Sequence, residues 1–202
     1  MNSSTPRCET LIDGPDGRAR LWPDAVAQPA ALMAELDRAV AWQTEFITMF
    51  GKTYEVPRKV AWHGDAGAVY RYAGVTHEPA PWFPTLESLR DLVAELAGTP
   101  FNSVLLNRYR DGNDHMGWHR DNERELGDHP VIASVSLGAE RRFDFRHVTT
   151  KERVSCLLPA GSVLVMDGPL QSIWQHRLPR ATKVEAPRIN LTFRQVLSRR
   201  TS

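Results

Sequence analysis

The sequence predicts an α+β protein that is mainly β, with a core of short strands arranged as a sandwich or jelly roll. Two observations lead to this prediction: apolar stripes at helical spacing in the first half of the chain, and a series of β-rich runs in the second half. The 202 residues suit one domain with a sizeable core. The interior of such a fold can hold a metal ion.

Two helices are indicated by apolar residues that recur every three or four positions. The first stripe runs from Leu32 to Val40, and the second runs from Leu86 to Leu96. Gly98 follows the second stripe and is typical of a helix C-terminus, where a left-handed residue is favoured. Both stripes are interpreted as helices that pack on the core.

The strands are expected in short runs that are rich in β-branched and aromatic residues, with Gly or Pro near several of the breaks between them. In chain order these runs are residues 104–109, 131–137, 142–147, 153–158, 162–166, 173–178 and 188–196.

Charge and cysteine usage restrict the class of protein. The net charge is only +1, so any attraction to nucleic acid must come from local clusters of charge. Of the 25 basic residues 21 are arginine, which indicates either phosphate-binding side chains or a GC-rich genome. Cys8 and Cys156 form no disulfide framework, and neither a signal peptide nor a membrane span is visible. We expect an intracellular protein, cytoplasmic in a bacterium or nuclear in a eukaryote, with no membrane partner.

A candidate metal site is formed by His119, Asp121 and the distant His176. Two imidazoles and one carboxylate are the ligands with which oxygen-activating enzymes hold non-haem Fe(II) while leaving coordination positions open. In an extended strand His119 and Asp121 project to the same side. A lone His-x-Asp is more often a surface turn or a polar pair. Zinc accepts the same ligands, but zinc alone leaves the arginines discussed next without a role.

A candidate anion site follows His176 in the alternating run from Arg188 to Arg194. Its period of two places apolar residues on one strand face and polar residues, including both arginines, on the other. Two buried guanidinium groups are costly unless each is paired, and their bidentate geometry suits carboxylates. A small dicarboxylate such as 2-oxoglutarate is therefore the simplest ligand.

An ordered set of motifs resembles the AlkB family of Fe(II)/2-oxoglutarate-dependent nucleic-acid demethylases, and particularly its branch that repairs double-stranded DNA. The likeness extends from about residue 49 to residue 196. The motifs that carry it are residues 107–109, 119–121, 132–136, 142–147 and 187–194.

The resemblance implies a double-stranded β-helix core at residues 101–197. Residues 1–100 would supply an N-terminal extension, helices and a nucleotide-recognition lid, and residues 198–202 a basic tail. It implies that the catalytic iron is held by His119, Asp121 and His176, with O2 and 2-oxoglutarate as cosubstrates. It also implies that 2-oxoglutarate is bound by Asn107, Tyr109, Arg188, Asn190, Thr192 and Arg194.

The implied reaction is repair of alkylated DNA, duplex or single-stranded, by oxidative demethylation of 1-methyladenine and 3-methylcytosine, with release of formaldehyde and succinate. Phe50 would fill the space of the flipped base, Arg58 would contact phosphate, and Tyr70, Tyr72 and Glu123 would bind the base. A monomer is expected. The alternatives are an RNA or protein demethylase of the same family, or a catalytically inactive DNA-binding relative.

Overall fold

A computed structural model describes residues 7–49, 51–72 and 75–197 of the protein. Of residues 47–49, 52, 70–72 and 75–77 it describes the backbone alone. Its helices are α1 (Pro29–Ala39), α2 (Pro84–Ala97) and the short α3 (Leu170–Ile173), with a 3-10 turn at Arg124–Leu126. Its strands are β1 (Glu9–Gly14), β2 (Gly17–Trp22), β3 (Gln43–Met49), β4 (Lys52–Gly64), β5 (Tyr70–Tyr72), β6 (Val75–His77), β7 (Ser103–Tyr109), β8 (Met116–His119), β9 (Ile132–Gly138), β10 (Arg141–His147), β11 (Arg153–Leu158), β12 (Ser162–Asp167), β13 (Trp174–Leu178) and β14 (Arg188–Arg194).

The strands form two main antiparallel sheets. The large sheet has eight strands in the order β1-β2-β12-β9-β14-β7-β4-β3, and the small sheet has four in the order β11-β10-β13-β8. Strands β5 and β6 pair separately. The large sheet takes β1 to β4 from residues before 101, so strands from both sides of the predicted domain boundary pair within one sheet.

Two apolar cores lie on opposite faces of the large sheet. On one face, buried residues of α1 and α2 such as Leu36 and Val93 pack against strand residues such as Leu191. On the other face, Leu164 of the large sheet packs with Phe145 and Trp174 of the small sheet. The helices therefore cover the outside of the large sheet, and the two sheets form the predicted jelly-roll core between them.

The predicted helices and the later strands are confirmed, with strand ends that differ by at most two residues. Gly98 ends α2 in the left-handed conformation, with φ of 70°. One correction concerns Asp121, because β8 ends at His119 and the carboxylate lies beyond the strand. None of the helices in the described ranges has the length and apolarity of a membrane-crossing segment.

The early strands β1 to β4 were not evident from the sequence. β4 contains Pro57, which disrupts a strand pattern because proline cannot donate to the ladder. The structure accommodates Pro57 at a bulge, where the pairing with β3 shifts from Thr44↔Lys59 to Phe46↔Glu55.

Gly17, at the start of β2, allows α3 to lie directly against the sheet. It has φ of +117°, and a Cβ atom there would lie 2.6 Å from the Cβ atom of Leu170 in α3. Gly14 pairs with Gly17 across the same hairpin, but a Cβ atom on Gly14 would meet no atom within 4 Å. Close contact between β2 and α3 therefore requires glycine at position 17.

Replacing Gly17 with alanine should lower the free energy of unfolding by about 2–4 kcal/mol, because it adds backbone strain to a clash. Gly14→Ala is the matched control and should change stability by about 0.5 kcal/mol or less. Urea denaturation of both variants measures the difference. Equal stability of the two variants would contradict the packing of α3 on β2.

Candidate active site

Two histidines meet on the inner face of the small sheet. β8 and β13 are antiparallel neighbours, and their register places His119 directly opposite His176. The two ring centroids are 4.2 Å apart. Asp121 follows β8 and completes the cluster, in which the candidate ligand atoms all lie within 4.8 Å of one another. The cluster brings together the predicted metal ligands from segments more than fifty residues apart.

Asp121 is held as a buried carboxylate. Its Oδ1 atom accepts a hydrogen bond of 2.6 Å from Nη2 of Arg194, and its Oδ2 atom lies 3.6 Å from Nε2 of His176. Burial by itself would raise the pKa of Asp121, but the Arg194 cation and the His176 imidazole hold this pKa well below its usual range. The carboxylate is therefore ionised at neutral pH.

His119 presents a neutral ring nitrogen to the cluster. Burial, together with the neighbouring His176, lowers the pKa of His119 to about 4. Nδ1 of His119 lies 2.9 Å from the carbonyl oxygen of Gly117, so this nitrogen carries the proton and leaves a lone pair on Nε2. Nδ1 of His176 is buried without a hydrogen-bond partner in the described part of the chain. Two imidazoles, of which His119 is neutral, and one ionised carboxylate are ligands that a divalent cation accepts, and these residues therefore fit one.

A single cavity between the sheets contains the cluster. About 450 Å³ of space free of protein atoms, including open solvent at its mouth, lies between its lining residues. All of the predicted metal and 2-oxoglutarate residues line it. Its lining consists of Leu105, Asn107, Tyr109, Met116, His119, Asp121, Ser134, Phe143, Met166, His176, Leu178, Arg188, Asn190, Thr192 and Arg194.

The polar wall of the cavity arises from the register of three central strands. On β14, Asn190 pairs with Asn107 of β7 on one side and with Ser136 of β9 on the other. Because side chains alternate along each strand, this row faces the cavity, whereas Ile189 and Leu191 face the helical core. The alternation seen in the sequence is therefore confirmed.

Arg188 is a buried cation that lacks a carboxylate partner among the described residues. Its side chain donates a 2.8 Å hydrogen bond to Oγ of Ser136, and its guanidinium carbon lies 5.3 Å from the ring centre of Tyr109. Burial, with the nearby Arg141 cation, lowers the pKa of Arg188 to about 10, so it remains charged at neutral pH. A buried charge without a counter-ion indicates a site for an anionic ligand.

Arg58 does not lie on the surface, where the sequence placed it for contact with phosphate. It is 5% exposed, and its Nε atom donates a 2.7 Å hydrogen bond to Oδ1 of Asn107. The alternation of β4 explains this correction, because Arg58 lies two positions from both Val56 and Val60, which are buried on the same face. Since Arg58 occupies the amide oxygen of Asn107, the Asn107 side chain presents its NH2 group as a donor for a ligand.

Asn190 and Thr192 face the cavity, but their polar groups bond within its wall. The Asn190 amide donates to Oγ of Ser134 at 2.7 Å and to the Val135 carbonyl oxygen at 3.0 Å. Its Oδ1 atom accepts from Oγ1 of Thr192 at 3.0 Å. These contacts hold the wall in place around the arginines.

Of the predicted base-binding residues with described side chains, Glu123 lies outside the cavity lining. Glu123 immediately precedes the 3-10 turn, and its Oε2 atom is buried without a partner in the described part of the chain. Tyr70 and Tyr72 lie in β5, where only the backbone is described. Phe50 lies outside the described residues.

The sequence did not reveal the supporting residues Ser134, Ser136 and Gln171. The two serines could have been identified, because they alternate along β9 with apolar residues. Gln171 is 1% exposed and accepts a hydrogen bond from the backbone N–H of Asp121. No sequence pattern marks it, since it lies in a four-residue helix fifty positions away.

Comparison with known proteins agrees with this geometry. A family model described as the 2OG-Fe(II) oxygenase superfamily matches residues 21–194. The DNA oxidative demethylase ALKBH2 of Mus musculus is 46% identical over 182 residues, covering 85% of this chain and 76% of that protein. ALKBH2 of Homo sapiens is also 46% identical, with 85% and 70% covered. The human alpha-ketoglutarate-dependent dioxygenase alkB homolog 3 is 39% identical over 175 residues, with 82% and 60% covered.

A solved structure described as that of OsALKBH1 has the same fold. It aligns with a TM-score of 0.63 over 93% of this chain and 100% of that chain, at 16% sequence identity. The extent of the superfamily match and the identity to ALKBH2 settle the family. The chain belongs to the AlkB family of the 2OG-Fe(II) oxygenase superfamily.

Proposed function

We propose that the chain repairs alkylated DNA as an Fe(II)- and 2-oxoglutarate-dependent dioxygenase that demethylates 1-methyladenine and 3-methylcytosine. The observation that carries this proposal is the buried Arg188 cation, without a carboxylate partner among the described residues, in the same cavity as the His119, Asp121 and His176 cluster. A metal site beside an anion site is what a metal-dependent enzyme with a carboxylate cosubstrate requires. The names of the ALKBH2 relatives support DNA as substrate.

Different side chains would bind the metal and the 2-oxoglutarate. His119, Asp121 and His176 would hold iron, which supplies the oxidation of the methyl group with O2 and 2-oxoglutarate as cosubstrates. Arg194 bonds to Asp121, so the carboxylate of 2-oxoglutarate nearer the metal lies beside Arg194. Arg188 receives the far carboxylate with its guanidinium group, aided by the amide donor of Asn107.

Base recognition takes place at the mouth of the cavity. A methylated base cannot reach the cluster while it is stacked in a duplex, so it must be flipped out. Tyr70 and Tyr72 are assigned to stack on the base, and Glu123 to its edge. N-methylation makes these bases cationic, and the free Oε2 atom of Glu123 suits a positive partner.

The assay that tests this function is formaldehyde release from oligonucleotides bearing one 1-methyladenine, with Fe(II) and 2-oxoglutarate supplied. Parallel reactions with duplex DNA, single-stranded DNA, methylated RNA and methylated peptide separate the substrate classes. Release from RNA or peptide alone would replace the proposed substrate. Absence of succinate production with every substrate would indicate a DNA-binding protein without catalysis.

Removing one imidazole should abolish turnover. His119→Ala is expected to lose formaldehyde release and to weaken binding of Co²⁺, while the melting temperature of the metal-free protein changes little, because the ion pairs of the cluster in the described part of the chain join Asp121 to His176 and to Arg194. His115→Ala is the matched control, since His115 lies just before β8 and outside the cavity lining. Normal turnover by His119→Ala would refute the metal assignment.

Arg188→Gln should raise the 2-oxoglutarate concentration needed for half-maximal activity. Loss of a charge-assisted pair is worth on the order of 2 kcal/mol or more, which is roughly thirtyfold in affinity. Arg142→Gln removes an exposed arginine of the small sheet and should leave this concentration unchanged. An unaltered requirement in Arg188→Gln would place the cosubstrate elsewhere.

Phe50→Ala should reduce activity on duplex DNA more than on single-stranded DNA, by roughly tenfold in the ratio, since only a duplex leaves a fixed gap for the ring to fill. Phe46 of β3 is 59% exposed, and Phe46→Ala provides the control from the same hairpin. The ratio is measured together with the melting temperature. A parallel loss on both substrates with a lower melting temperature would indicate that Phe50 only packs.

A further inference from the structure

Asp121 lies just beyond β8, so its backbone N–H needs a hydrogen-bond acceptor from outside the small sheet. β8 ends at His119, so the backbone of Asp121 lies beyond the ladder of the small sheet. Residue Asp121 is 3% exposed, and a buried backbone N–H without an acceptor is costly. The acceptor is Oε1 of Gln171 in α3, at 3.1 Å from the Asp121 nitrogen. A side chain thus replaces the ladder bond that a strand residue would have.

Gln171 is itself held in one orientation. It is 1% exposed, and its Nε2 atom donates to Sδ of Met166 at 3.5 Å. Reversing the amide would point an NH2 group at the N–H of Asp121 and remove a donor from the Met166 sulfur. The oxygen of Gln171 therefore stays directed at Asp121.

The helix that carries Gln171 is fixed on two sides. Leu170 is completely buried against Gly17 of β2. On the other side, Nη1 of Arg120 donates a 2.7 Å hydrogen bond to the carbonyl oxygen of Ser172. Neighbouring residues Arg120 and Asp121 are thus both bonded to α3, one through its side chain and one through its backbone.

We propose that Gln171 is a positioning residue for the metal ligand Asp121, an inference that rests on the proposed metal site. By fixing the backbone of Asp121, Gln171 directs the carboxylate so that Oδ1 meets Arg194 and Oδ2 turns towards His176. Arg194 fixes the position of Oδ1, whereas the bond to Gln171 fixes the backbone from which the Asp121 side chain extends. The two contacts together define where the carboxylate lies before a metal ion binds.

The test is the affinity of the metal-free protein for Co²⁺, titrated at 10 °C and followed by the visible absorption of the bound ion. Gln171→Leu keeps the size of the side chain but lacks an acceptor, and should weaken Co²⁺ binding roughly 10- to 100-fold. Gln171→Asn shortens the amide and should weaken it similarly, which provides a second variant if the first does not fold. Gln171→Glu retains an acceptor oxygen and should restore affinity to within a few fold of the original.

Two controls separate this role from its alternatives. Val93→Ala in α2 destabilises the helical core without touching the site, so its Co²⁺ affinity should be unchanged although its melting temperature falls. Equal Co²⁺ affinity in Gln171→Leu and the unmodified chain would overturn the positioning role, as would a loss in Val93→Ala of the same size as in Gln171→Leu. His119→Ala tests the metal site itself: if it binds Co²⁺ normally, the proposed function fails, whatever Gln171 does.

Discussion

A buried ion pair between Arg194 and Asp121 joins the two sheets at the centre of the protein. Arg194 ends β14 of the large sheet, and Asp121 follows β8 of the small sheet. Removing one member of such a pair typically costs about 3–5 kcal/mol, because the other charge is left buried. The pair therefore fixes how the sheets face each other, and it sets the place where the two histidines and the carboxylate converge.

Two further buried arginines, Arg141 and Arg188, differ in their hydrogen-bond partners. Arg141 lies next to Tyr109, and its guanidinium donates to the carbonyl oxygens of Asp111, Asp114 and Pro179. Its donors hold loops together, so it has a structural role. The guanidinium carbon of Arg188 lies 5.3 Å from the centre of the same ring, and its Nη2 atom donates a hydrogen bond to the hydroxyl of Ser136 in the cavity wall. The different partners of two neighbouring cations make Arg188 the side chain that a carboxylate ligand would satisfy.

Strand β4 connects the predicted nucleotide-recognition region to the cosubstrate pocket. It begins at the hairpin next to Phe50 and carries Arg58, whose guanidinium bonds to Asn107 at the cavity wall. The pairing of β4 with β7 places Val60 opposite Asn107, and strand alternation directs Arg58 to the same face as Val60.

Local patterns in the sequence determined the helices, the later strands and the polar face of β14. The alternation from Arg188 to Arg194 separates a core face from a polar face by the period of a strand, and this period depends on nothing outside the strand. His119, Asp121 and His176 were recognisable because iron requires their side-chain chemistry, wherever they stand in the chain.

Only the tertiary structure decided the contacts that come from distant elements. The hydrogen bond from Arg58 to Asn107 follows from the pairing of β4 with β7, and the support of Asp121 follows from a short helix that packs on Gly17. Neither contact leaves a regular spacing of residues in the sequence, because each depends on which distant segments meet in space. The sequence by itself therefore determined which side chains serve the chemistry, whereas the packing of the sheets and α3 decided how those side chains are held.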